Sequence, residues 1–141
     1  MFQTIVVGTN WSDTAEIAFR QALELARSNE GRLHVVTASP PSVPPASGSS
    51  AGASGGRWLG PDFQADVALE RTLERLGAGD VDVQQHTLAA DPGDAILKVA
   101  DEVGADLIVV GNKGMHRRVL GSIPNTVSHR ASCNVLIVQT S

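Results

Sequence analysis

Gly111, Gly114, Gly121 and Ser122 follow the apolar run "DLIVV" in that order, with two residues in the first gap and six between Gly114 and Gly121. Glycine has no Cβ, so its backbone N–H can approach a ligand closely. The Gly121-Ser122 pair also reads as a helix start, where unpaired N–H groups carry about +0.5 of an elementary charge. Together these are the parts of a cradle for phosphate or another small anion. Lys113, His116, Arg117 and Arg118 lie in the same stretch and could add cationic contacts, although a solvated loop is the plainer account of that run. The spacing is not that of a Walker A loop, because no Lys-Ser or Lys-Thr follows the last glycine. It is not the G-x-G-x-x-G dinucleotide fingerprint either.

A second polar turn, Thr9-Asn10-Trp11-Ser12, follows the run "TIVVG". In open parallel sheets, ligands sit beyond the carboxyl ends of strands where the strand order reverses. If the first and fourth strands are neighbours, this turn and the glycine loop share one crevice. Trp11 could wall that crevice, stack on a base, or pack on the sheet, and the residues alone leave these open. His34 and His86 fall inside strands and read as structural histidines. His129 and Cys133 stand four apart in the last helical stretch, yet two residues without further partners make no metal site. No nucleophile, base and orienting group stand out together, so no catalytic residue is assigned and an enzyme is not expected. Asp13, Glu16, Asp91 and Asp94 occupy helix starts, where capping accounts for them.

The elements that must position these residues are legible from periodicity. "TIVVGT" (4–9) and "RLHVVTA" (32–38) are short β-branched runs, expected as strands. Between them Ala15, Ala18, Phe19, Ala22, Leu23 and Ala26 recur at helical spacing; Ser12 or Asp13 caps that helix, and Asp13 with Glu16 has capping-box spacing. Residues 39–60 are dominated by Ser, Pro, Gly and Ala, cannot offset their ordering entropy by burial, and are expected to be mobile. Trp58 and Leu59, at the far end, would staple the next helix to the core or form a lid. A helix from about 62 to 76 turns Ala65, Leu69, Thr72, Leu73 and Leu76 inward. "VDVQQHTLA" (81–89) alternates, as a half-open edge strand does. Asp91-Pro92 opens a third helix with Ile96, Val99, Ala100 and Val103 on one stripe. "DLIVVG" (106–111) is a central parallel strand; Ser122 caps a last helix, and "NVLIVQT" (134–140) closes the chain. Strands alternating with helices predict an α/β fold with a mostly parallel sheet.

The 141 residues are expected to form one domain, with 42% hydrophobic and 18% charged residues. A net charge of −4 gives no electrostatic case for nucleic acid or an anionic membrane. The single cysteine rules out an internal disulfide framework and fits a reducing cytoplasm, and no leader or spanning segment is evident.

These motifs resemble the universal stress protein family. The likeness runs from "TIVVGTNWSDTAEIAFRQALELA" through "LHVV" and "DPGDAILKVADEVGADLIVVGNKG" to "GSIPNTVSHRASCNVLIVQT", leaving out only 39–60. The resemblance implies a Rossmann-like five-stranded parallel sheet in order 3-2-1-4-5 with helices on both faces. It implies a cytoplasmic homodimer paired through the last strand, here Val135 to Val138. It also implies a stress-response module that binds an adenine nucleotide: ATP first, alternatively AMP or cyclic AMP, with Mg²⁺ as an accompanying ion. A branch that binds no nucleotide and works as a dimeric interaction protein is the alternative, and slow ATP hydrolysis with Mg²⁺ or Mn²⁺ is a weaker third. Carried over residue by residue, Gly111, Gly114, Gly121 and Ser122 would receive phosphates and Ile123 would lend its amide. Thr9 and Asn10 would lie near the ribose, and the backbone of Val35 would face adenine. This chain departs from the family's Gly-x2-Gly-x9-Gly-Ser/Thr pattern, with six residues in place of nine, and has Asn10 where an aspartate is usual.

Overall fold

The computed structural model describes residues 1–39, 61–112 and 121–140, with only the backbone of 61–63. Trp58, Leu59 and the rest of the Ser/Pro/Gly-rich segment beyond Ser39 lie outside the described residues. In chain order the elements are β1 (Thr4–Gly8), α1 (Asp13–Asn29), β2 (Arg32–Ser39), α2 (Pro61–Leu76), β3 (Asp82–Ala89), α3 (Pro92–Val103), β4 (Leu107–Asn112), α4 (Ser122–Arg130) and β5 (Asn134–Gln139). The five strands form one sheet in the order β3-β2-β1-β4-β5, parallel at every pairing. The order runs outward from β1 to β3, then restarts on the other side of β1 with β4. That break is the topological switch point the sequence anticipated.

Strand alternation divides the core between two faces. Ile5, Val7, Leu33, Val35, Leu107 and Val109 pack with Phe19, Ala22 and Leu69 of α1 and α2. Val6, Val36, Ile108 and Val110 pack with Ile96, Val99 and Val127 of α3 and α4 on the other face. The central strands carry unbroken apolar runs, Ile5 to Val7 in β1 and Leu107 to Val110 in β4, because both faces are covered there. Polar groups stitch their beginnings together: the Asp106 carboxylate accepts from the Gln3 N–H at 2.9 Å and the Thr4 N–H at 3.2 Å. Asp106 therefore precedes β4, which starts one residue later than its hydrophobic pattern suggests.

Helix ends follow their local chemistry, with several corrections. Ser12, not Asp13, caps α1, accepting from the Ala15 N–H at 3.2 Å. Glu16 does not complete a capping box; its carboxylate pairs with Arg75 of α2, and that guanidinium holds its pKa below the usual carboxylate range. At α4 the cap position falls on Gly121 and Ser122 is the first helical residue. The last helix also ends at Arg130, so Cys133 lies beyond it and the helical spacing to His129 is not realised. Asp91 and Pro92 start α3 as expected: the Asp91 carboxylate accepts from the N–H groups of Gly93 and Asp94 at 3.1 and 3.4 Å. Gly104 ends that helix in the left-handed region at φ 66°, where a side chain would be strained. Replacing Asp91 by Ala strands two amides and is expected to cost about 1 kcal/mol of stability, read as a lowered urea midpoint with an unchanged slope.

Candidate functional site

Three helices, α1, α3 and α4, begin at the carboxyl edge of the sheet around the β1–β4 break, and their N-termini face a hollow of about 360 Å³. Gly8, Thr9 and Asn10 supply one rim, Val36, Ala38 and Ile96 an apolar wall, and Gly121, Ser122 and Ile123 the opposite rim. No charged side chain among the described residues lines it. Its electrostatics come from backbone dipoles.

The β1–α1 turn is held by its own side chains. Thr9 Oγ1 accepts from the Trp11 N–H at 2.9 Å, and Asn10 Oδ1 accepts from the Ser12 N–H at 3.0 Å. These bonds accompany a left-handed backbone at Trp11, φ 64°, which is uncommon for a bulky residue. The indole settles the question the sequence left open: it packs on the sheet. Its Nε1–H donates to Thr37 Oγ1 at 3.1 Å, and the ring meets Phe19 edge-on with centroids 5.7 Å apart. Trp11 belongs to the α1–α2 face of the core and does not line the hollow. Among the described residues the Thr9 hydroxyl proton and the Asn10 side-chain amide NH₂ meet no acceptor.

Across the hollow, the end of β4 fastens α4. Asn112 is 5% exposed, and its Oδ1 accepts the Gly121 N–H at 2.9 Å. Its carbonyl accepts from the Thr140 N–H at 3.0 Å, so one residue ties β4 to both α4 and the end of β5. The three helix starts then differ. Ser12 caps α1 and Asp91 caps α3, but α4 has no side-chain cap. Its first-turn amides at Ser122 and Ile123 meet no acceptor among the described residues, and Pro124 next to them has no N–H to satisfy. Two donors at the positive end of a helix dipole face a hollow whose described lining carries no charged side chain. An anionic group fits there better than water alone.

Of the residues singled out in the sequence, Thr9, Asn10, Gly111, Gly121, Ser122 and Ile123 are brought together around this hollow. Gly114, Lys113, His116, Arg117 and Arg118 lie outside the described residues. The expectation for Val35 concerned its backbone; its side chain turns into the α1–α2 face, and the described lining of the hollow on β2 is Val36 and Ala38. Gly111 has a packing reason for lacking a side chain, since a Cβ there would come within 2.9 Å of Thr140 Cγ2. Gly8 has a similar one, with Ile96 Cδ1 at 2.4 Å from its would-be Cβ. Reading glycines alone missed Asn112, hidden as a variable position inside Gly-x2-Gly. Its signal was a polar amide closing an otherwise apolar, largely buried strand. No group of three or more metal-ligating side chains occurs among the described residues. Burial, then Asp106 and Asp101, push the Cys133 thiol up, away from reactivity.

The universal stress protein family model matches residues 1–139. The chain belongs to the universal stress protein family. The universal stress protein Rv1636 of Mycobacterium tuberculosis is 33% identical over 144 residues, covering 99% of this chain and 98% of its own length. A universal stress protein solved in complex with cAMP is also 33% identical, with a TM-score of 0.72, and the match covers 99% of this chain and 98% of that one. The universal stress protein of Archaeoglobus fulgidus in complex with dAMP is 27% identical, with a TM-score of 0.67 over 98% of each chain. Like them, this universal stress protein has a Rossmann-like α/β fold, and its sheet order is the one the resemblance implied. No helix among the described residues is long and apolar enough to cross a membrane.

Removing the Asn112 amide should loosen the uncapped helix. Asn112→Ala leaves the half-buried Gly121 N–H without its acceptor and is expected to cost about 1 kcal/mol in urea unfolding. Asn112→Asp retains an acceptor oxygen and should recover part of that loss.

Proposed function

We propose that this universal stress protein is a regulatory module that binds an adenine nucleotide in the hollow at the β1–β4 break. The observation that carries this reading is the uncapped start of α4 facing that hollow, with Ser122 and Ile123 as phosphate donors. The base would lie against Val36, Ala38 and Ile96, an apolar surface of the kind that suits a purine. The ribose would sit between Thr9 and Asn10. Two adenine-nucleotide complexes of family members support the class of ligand. ATP with Mg²⁺ is the first nucleotide to test, followed by AMP and cyclic AMP; Gly114, Lys113, His116, Arg117 and Arg118 are candidates to meet the longer phosphate chain.

The reading is of a binding protein. No titratable side chain among the described lining residues could activate a water against a phosphate. A homodimer through Val135–Val138 would cover the open edge of β5, whose side chains are only half-buried in one chain. A cytoplasmic setting suits the single unreactive thiol. A second reading, a dimeric interaction protein without nucleotide, is favoured by one observation: Gly121, the third glycine of the motif, already has its N–H taken by Asn112.

Calorimetric titration of ATP, AMP and cyclic AMP, with and without Mg²⁺, separates the two. Heat with at least one nucleotide is expected; none with any of them supports the second reading. Gly121→Val should weaken that binding by about tenfold or more, because the new side chain fills the space before the α4 amides. The fold should survive it, since a Cβ at Gly121 meets no atom nearer than 3.6 Å and the backbone there has φ −64°. Equal affinity in the folded variant would put the phosphate elsewhere. Asn10→Asp keeps the acceptor for the Ser12 N–H and frees a charged oxygen for the ribose hydroxyls. It should tighten binding about fivefold, near 1 kcal/mol, and an unchanged affinity would mean the ribose is held by other groups.

A further inference from the structure

His34 and His86 take no part in the hollow. They lie on adjacent strands on the sheet face that α3 covers, offset in register so that His34 stands opposite Gln84 and His86 opposite Val36. His34 Nδ1 and His86 Nε2 are 2.9 Å apart, with ring centroids at 5.1 Å. His34 is 3% exposed, yet it borders a polar hollow at the opposite end of the sheet, lined also by Glu30, Arg32, Asp82 and Gln84. That hollow gives protons a route to the pair.

The surroundings offer the pair little compensation for charge. Its neighbours along β2 and β3 are Arg32 and Asp82, ion-paired with each other at 2.7 Å. Glu30 stands at the rim of the hollow. From the covering helix, Ala95 and Val99 are buried and apolar, while the charged residues Asp94, Lys98, Asp101 and Glu102 are all exposed.

When both rings are neutral, one proton lies between the facing nitrogens. A first added proton can enter on an outer nitrogen and leave that bridge intact. A second added proton cannot. Both facing nitrogens would then carry N–H groups, the bond would be lost, and two cations would share a partly buried seam. The unfolded segment accepts both protons freely. We infer that the His34–His86 pair is an acid-sensitive latch that fastens the edge strand β3 to β2 and lets it go on acidification.

Burial, then His86 and Arg32, hold the His34 pKa below its ordinary value of 6.5, against an opposing pull from Asp82. A lowered folded-state pKa means the stabilisation is complete above that ordinary value and is lost as pH falls below it. In that window each unit of pH favours the opened strand by about tenfold for each extra proton it binds. Among the described strands β3 pairs with β2 alone, so it can open while β1, β4 and β5 stay paired. The latch works with or without a ligand in the other hollow.

Hydrogen exchange on the full chain at pH 7.5 and 5.5, expressed as protection factors, tests this. The protection of β3 amides relative to β4 amides should fall by about tenfold or more in the wild type. His86→Gln keeps a hydrogen-bonding partner for His34 but cannot titrate, so the pH dependence of the ratio should shrink well below the wild-type change, leaving only the part that burial of His34 supplies. An unchanging ratio in the wild type, or a full-sized change persisting in His86→Gln, would overturn the latch. Imidazole ¹⁵N titration of the wild type needs no variant. One ring of the pair should titrate below the ordinary range, and two rings titrating independently at ordinary values would also overturn it.

Discussion

A strand order that reverses between β1 and β4 leaves the carboxyl ends of two central strands with no connection lying across them. The chain leaves β1 toward one face of the sheet and leaves β4 toward the other. The turns that follow must part, and helices α1, α3 and α4 all begin around the gap. Helix starts bring unsatisfied N–H groups with them. The concavity and its backbone dipoles both follow from this one constraint of parallel winding.

The constraint does not treat the three helices alike. Ser12 and Asp91 satisfy α1 and α3 from within. At α4, Asn112 takes the Gly121 N–H and leaves the next two amides facing the hollow. Asn112 therefore has two roles. It fixes where α4 begins by anchoring its cap residue to the end of β4, and it takes the Gly121 N–H out of the donors that α4 can offer a ligand. The opposite rim is also pre-set: Trp11, buttressed by Thr37 and Phe19, holds the backbone turn that presents Thr9 and Asn10.

Much of this architecture is legible in the sequence because it rests on local signals. The unbroken apolar runs of β1 and β4 announce strands buried on both faces, and Asp91-Pro92 announces a helix start. What the sequence obscured depends on single-residue parity or on contacts across strands. Val35 and Val36 are equally apolar, and only the register of β2 decides which one borders the hollow. Ser122 has the chemistry of a cap, but the Asn112 bond moves that position to Gly121. His34 and His86 are 52 residues apart in the chain, and nothing short of the β2–β3 register reveals that they share a hydrogen bond. Asn10 and the six-residue gap before Gly121 are departures visible only against the family pattern.

The central claim is that the first-turn amides of α4 receive a nucleotide's phosphate. Amide chemical shifts of ¹⁵N-labelled protein, followed as AMP, cyclic AMP or ATP is added, address those two groups directly. The largest changes are expected at Ser122 and Ile123, with smaller ones at Thr9, Asn10 and Val36 and none at Arg32 or Asp82. Changes confined to other parts of the chain, or no changes at saturating nucleotide, would contradict the account.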